Sequence, residues 1–223
     1  MTLNTEMHRT IMFSILQDLY TSEIWKYLGF KWWTACYFLY GLDRFSTDLD
    51  FDLLNEDKHI DTQLLDIVSQ YWTVKKWNKI EISYWEKDIN IKVDINRHIW
   101  KANKYEVLNL YGTPIKVQTK DTICANKLVA YYERGTNRDI YDIYFFLKNS
   151  YEINEWVTLE RTWLSLNELL EKIKEKLMSL PQNYKILDGL WEVLGQEQKT
   201  FTKNFLINRL IGLIDMKIQF NKG

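Results

Sequence analysis

Glycine is scarce in this chain: the 223 residues hold 8 glycines against 10 tryptophans. That is about half the ~7% share of an ordinary protein. Few positions are therefore suited to left-handed turns or to close approach of backbone to a ligand. Other shortages exclude whole classes of function. Cys36 and Cys124 lie far apart and form no CxxC pair, which argues for reduced thiols. No apolar run approaches the ~20 residues of a membrane span. The charged opening MTLNTEMHRTIMFSIL has no signal-peptide core, so the expected location is the cytoplasm, with no membrane partner. A formal net charge of -1 gives no whole-chain pull towards nucleic acid, though a local basic surface stays open. GxxxxGKS and GxGxxG phosphate loops are missing, as is HExxH. His8, His59 and His98 form no ligand set, and surface or capping roles are expected for them.

What is present reads as a mixed first half and a helical second half. Residues 5–28 carry apolar residues at helical spacing, and Thr34 to Tyr40 reads as a short helix ended by Gly41. Thr47 to Leu53 alternates strictly, with Leu49, Phe51 and Leu53 on one face and Asp48, Asp50 and Asp52 on the other. A helix is expected over Asp61–Gln70. A meander is expected over Thr73–Asn96, with turns near Asn78 and Lys87. Its last strand sets Ile89, Ile91, Val93 and Ile95 against Asn90, Lys92 and Asp94. A strand or strand pair follows over residues 106–118, then helices over Asp121–Arg134 and Asn137–Lys148. Leu166, Leu169, Leu170, Ile173 and Leu177 make a helical stripe broken by Pro181, with further helices over residues 183–194 and 199–220.

The acidic strand carries the chemistry. Residues two apart on a strand point the same way at roughly 6.6 Å, so Asp48 and Asp50 can converge on one site. Asp94, on a pairing strand, can supply a third carboxylate. Three carboxylates repel one another unless a cation neutralises them. Oxygen-only ligation suits Mg²⁺, which combines one or two carboxylates with substrate phosphates. A solvated acidic strand face is the plainer reading of DLD alone. Downstream, ANKLVAYYERGTNRDIYDIYFFL combines Lys127 with Arg134, Arg138, Asp139 and Asp142. Asp139 and Asp142 lie three apart and so share a helix face. On pattern alone that segment reads as an amphipathic helical hairpin with surface ion pairs.

In order, YGLDRFSTDLDFDL, IKVDIN, ANKLVA and NRDIYDIYFFL resemble the AbiEii/AbiGii family of nucleotidyltransferase toxins over roughly residues 20–150. The resemblance implies an α+β fold: a polymerase-β-like nucleotidyltransferase core, a mixed sheet flanked by helices, with a helical C-terminal region. Residues 1–118 would form the core, and residues 119–223 the helical region contributing to the active site. It implies Mg²⁺-dependent (or Mn²⁺-dependent) transfer of a nucleoside monophosphate from an NTP to an RNA acceptor, in some relatives the 3′ end of tRNA. It also implies a cognate antitoxin partner. Carried over by motif, Asp48, Asp50 and Asp94 become metal ligands, with Asp94 an alternative base. Lys127 resembles the NTP-phosphate lysine and Asp139 the essential acid of RDxxD. Asp142 and Arg138 support that site, and Trp32, Trp33 and Thr34 stand at the phosphate turn.

This chain departs from the family twice. The acid five residues before the lysine is replaced by Thr122, with Asp121 beside it. The Gly-Gly that opens the first motif is replaced by Trp32-Trp33. Glycine there lets backbone N–H groups approach a triphosphate that two indoles would obstruct. Substituting glycine for every tryptophan restores EIGKYLGFKGGTAC, puts glycines in hairpin turns and removes the glycine deficit. A gene reading UGA as glycine, translated as tryptophan, produces that pattern. If the indoles are genuine, the chain is expected to be an impaired enzyme or a module that only binds nucleotide or antitoxin. Phosphoryl transfer to a protein is a third reading.

Overall fold

The computed structural model describes residues 4–71, 73–76, 80–83 and 90–221. The expected turns near Asn78 and Lys87, and Ile89, lie outside the described residues. The chain divides into two compact units, Met1–Gln118 and Thr119–Gly223.

The first unit opens with α1 (Thr5–Thr21), capped by the Asn4 side chain, which accepts from the Met7 N–H at 3.1 Å. The helix stops well short of residue 28. Thr21 and Ser22 hydroxyls donate back to the carbonyls of Gln17 and Leu19, competing with further helical bonding. A 3₁₀ turn, Glu23–Tyr27, then leads into β1 (Leu28–Lys31). That strand is buried at every position, so it shows no alternation in the sequence. Next come α2 (Trp32–Leu39), β2 (Asp48–Leu53) and α3 (Asp61–Val68). The remaining strands are β3 (Thr73–Lys76), β4 (Ile80–Ser83), β5 (Asn90–Asn96), β6 (Tyr105–Leu110) and β7 (Thr113–Gln118). They form one mixed sheet in the order β3-β4-β5-β2-β1-β7-β6. β2 runs parallel to β5 and β1 parallel to β7, the other pairs being antiparallel.

The faces of this sheet differ. Leu28, Phe30, Leu49, Phe51, Ile91 and Val93 are buried on one face, where the α1 residue Tyr20 donates to the Leu28 and Lys116 carbonyls. The other face carries the acids of β2. Its centre is Asp52, only 3% exposed. Asp52 accepts from Lys31 Nζ at 2.6 Å, Asn96 Nδ2 at 2.9 Å, Tyr105 Oη at 2.7 Å and Gln118 Nε2 at 2.7 Å. Burial and the Asp52 carboxylate push the Tyr105 phenol well up, so it remains a donor. Gly29 stands opposite Asp52 on β1. Without a side chain there, Tyr105 and Gln118 reach across β1 to the carboxylate.

The second unit is helical: α4 (Lys120–Arg134), α5 (Asn137–Lys148), α6 (Glu155–Thr162), α7 (Leu166–Met178), α8 (Gln196–Asn204) and α9 (Leu206–Phe220). α4 packs on α5, α6 and α7, and α9 on α5 and α7. α7 carries the predicted leucine stripe and a Ser165–Glu168 capping box. Two predictions fail here and one helix was missed. Residues 183–194 form successive turns rather than a helix, with Gly189 at φ 75°. The stretch 199–220 is broken at Phe205. α6 escapes the sequence pattern because it is short and buries only Val157 and Thr158.

A Cβ at Gly29 would collide with the Tyr105 ring, 2.8 Å from its Cδ1, and sit 3.1 Å from Leu54 Cδ2. Gly29→Ala is therefore expected to expel Tyr105 from Asp52 and cost about 1–3 kcal/mol, read as a lower denaturant midpoint. An unchanged midpoint would contradict the packing described.

Candidate active site

Strand geometry puts Asp48, Asp50 and Asp52 on one face of β2. Parallel pairing with β5 sets Asp50 opposite Asp94 and Asp48 opposite Lys92. On the other flank, Lys31 of β1 stands opposite Asp50, and its ammonium is committed to Asp52. Asp48, Asp50 and Asp94 are half-buried. The structure thus brings together on one sheet face the three carboxylates singled out from sequence. Among the described residues no three His, Cys, Asp or Glu side chains form a ready-made metal cluster. The donor set still fits a hard divalent cation, because Mg²⁺ takes one or two carboxylates and completes its shell with water and phosphate oxygens.

The chain entering β2 is held by a buried polar array. The Thr34 hydroxyl bonds the Ser46 hydroxyl at 2.8 Å and donates to the Asp48 carbonyl. His8 Nε2 lies 2.9 Å from the Thr47 carbonyl. Burial lowers the His8 pKa, against the opposing pull of Thr47 and Asp48. Arg44, 1% exposed, donates to the Phe45 carbonyl and lies 4.6 Å over the Trp33 ring. His8 is therefore neither a surface nor a capping residue. Its place four residues before Met12 and seven before Ile15 on the buried stripe of α1 was the signal that could have revealed it. Thr34, expected at the phosphate turn, is fully buried and uses its hydroxyl to position Asp48. Trp32 opens α2 with φ 63°, while Trp33 is 8% exposed.

In the second unit, Gly135 ends α4 at φ 68°. Thr136 then caps α5, its side chain accepting from the Asp139 N–H. This GT turn places Asp139 in the first turn of α5, where the helix dipole favours an anion. Arg134 grips that carboxylate with two bonds of 2.9 Å, the Thr136 hydroxyl donates at 2.6 Å, and Lys127 Nζ lies 3.4 Å away. Lys127 and Asp139 are both fully buried. The segment is thus a buried charge cluster, not a hairpin of surface ion pairs. Asp142 is also fully buried, and Arg138 donates to the Gly189 carbonyl at 2.8 Å. Arg134 was not among the residues predicted to form the site. Its fork geometry needs the turn at Gly135, which reverses the chain between residues 134 and 139.

A mixed sheet with acids paired across parallel strands, followed by a helical unit, defines a nucleotidyltransferase fold. Two solved structures share it. JHP933 from Helicobacter pylori is 20% identical with a TM-score of 0.58, the match covering 100% of this chain and 97% of that one. MenT4, a nucleotidyltransferase toxin from Mycobacterium tuberculosis H37Rv, is 17% identical with a TM-score of 0.60, covering 94% and 82%. No curated protein matches. Residues 34–205 match the family described as nucleotidyl transferase AbiEii toxin, type IV toxin–antitoxin system. The chain belongs to that family and is a nucleotidyltransferase.

The charge cluster predicts an acid-sensitive stability. Burial alone raises the Asp139 pKa, but Arg134, Lys127 and Thr136 outweigh it and hold it at about 2, against an ordinary 3.8. A folded pKa below the unfolded one stabilises fully above pH ~4, and that contribution is lost as pH falls towards ~2, amounting to about 2 kcal/mol. Asp139→Asn is expected to flatten the acid limb of a stability–pH curve. It should also cost about 3 kcal/mol at neutral pH by stranding Lys127. An unaltered acid limb would contradict this assignment.

Proposed function

We propose that this chain transfers a nucleoside monophosphate from an NTP to an RNA acceptor, the 3′ end of tRNA, in the cytoplasm, and that a cognate antitoxin restrains it. The observation that carries the reading is the pairing of Asp50 with Asp94, with Asp48 on the same face of β2. In this reaction the acceptor hydroxyl oxygen forms a bond to the α-phosphorus. The bond from that phosphorus to the bridging oxygen breaks, and pyrophosphate leaves. Asp48, Asp50 and Asp94 would hold Mg²⁺ (or Mn²⁺), which neutralises charge on the α-phosphate and on pyrophosphate. In the alternative to metal ligation, Asp94 would take the proton of the acceptor hydroxyl. Thr34, Ser46 and His8 fix the backbone that presents Asp48. Such a transfer depends mainly on positioning and fixed charge.

In the second unit, Lys127 and Asp139 take the family's roles of phosphate lysine and essential acid, with Arg138 and Asp142 supporting them. Lys127 is buried against Asp139, which it shares with Arg134. Trp32 and Trp33, at the start of α2, favour a second reading in which the chain binds nucleotide or antitoxin without transfer. NTP binding in the presence of Mg²⁺, with no label passing to any RNA, would support it.

Asp50→Ala is expected to reduce transfer of label from α-labelled NTP to tRNA by about 10³-fold. The circular dichroism spectrum should be unchanged, because Asp50 is only half-buried. Retained transfer in Asp50→Ala would overturn the role of this face.

A further inference from the structure

We infer that positions 32 and 163 are glycine positions, and that the tryptophans there correspond to UGA codons read as glycine in the source of this gene. The observation is in the backbone. Trp32 has φ 63° and Trp163 φ 61°, a left-handed conformation that brings Cβ against the following carbonyl of an L residue. Among the described residues, Tyr111 and Ser150 are the only other non-glycine residues at positive φ; Gly41, Gly112, Gly135 and Gly189 share the conformation. At these two positions tryptophan, the bulkiest residue, adopts a conformation that glycine prefers.

Position 163 makes the case apart from any family pattern. Trp163 is the left-handed C-cap of α6, its N–H donating to the Leu159 carbonyl at 3.0 Å. Gly135 fills the same role at the end of α4, where glycine is the usual residue. Trp163 is 86% exposed, so no burial offsets its backbone cost. Trp25, Trp156 and Trp191 are likewise exposed, against the ordinary burial of tryptophan. Counting the tryptophans as glycines brings the glycine share to about 8%, close to the common value.

At position 32 the consequence is functional, and that part rests on the proposed transferase reading. Trp32 packs against Lys31, whose ammonium is 5.5 Å from the ring, and against Trp33 at 6.1 Å between centroids. Glycine at 32 and 33 removes both indoles from the start of α2. Its backbone N–H groups then become open to the anionic phosphates of a nucleotide.

The codons decide the inference directly: UGA at positions 32 and 163 is expected, and UGG at either overturns it. A protein measurement checks position 163 independently. Trp163→Gly should raise Tm by a few degrees; a lower Tm contradicts its assignment as a glycine position. For the functional part, the Trp32→Gly, Trp33→Gly double variant should bind NTP with Mg²⁺ about tenfold tighter or better and transfer faster. UGA codons with no gain in binding or transfer would uphold the decoding and count against the transferase reading.

Discussion

One carboxylate ties the first unit together. Asp52 on β2 accepts from Lys31 on β1, Asn96 on β5, Tyr105 on β6 and Gln118 on β7, so five strands meet at one buried charge. A charge so buried is tolerable only when fully paired. A one-residue slip of β1 or β5 would carry Lys31 or Asn96 to the opposite face. The knot therefore fixes the register that puts Asp50 opposite Asp94. It also divides the acids of β2 into two kinds. Asp52 is neutralised internally by Lys31, whereas Asp48 and Asp50 remain half-exposed. Their mutual repulsion with Asp94 is the electrostatic feature that a divalent cation would relieve.

The second unit solves a similar problem by other means. Asp139 is fully buried, yet two cations, a capping hydroxyl and the N-terminus of α5 keep it ionised. The turn at Gly135 and Thr136 allows this, because it brings the end of α4 and the start of α5 onto the same carboxylate. Lys176 reinforces the turn by donating to the Tyr131 and Tyr132 carbonyls at the C-terminus of α4.

Much of this was legible in the sequence where one physical rule dominates. β2 alternates because one of its faces is apolar and the other acidic. α5 and α7 have wide apolar stripes, and their starts are marked by Thr136 and Ser165. Other features were hidden because they depend on what comes together in space. β1 is buried throughout and has no period. Lys31, Tyr105 and Gln118 acquire their role only through the sheet order, and Gly29 only through what crosses above it. The stripe of α1 could have shown that His8 is buried, but its partner, the Thr47 carbonyl 39 residues away, is visible only in the fold. The tryptophans were legible as an anomaly of composition, but their backbone angles came only from the structure.

Which phosphate moves decides between nucleotidyl and phosphoryl transfer. With glycine at positions 32 and 33, Mg²⁺ and tRNA present, incubation with α-labelled and γ-labelled NTP in parallel tests it most directly. The expected result is RNA carrying the α label, none of the γ label in RNA or protein, and one pyrophosphate released per nucleotide added. The γ label appearing on the protein or another polypeptide, with no α label in RNA, would contradict it.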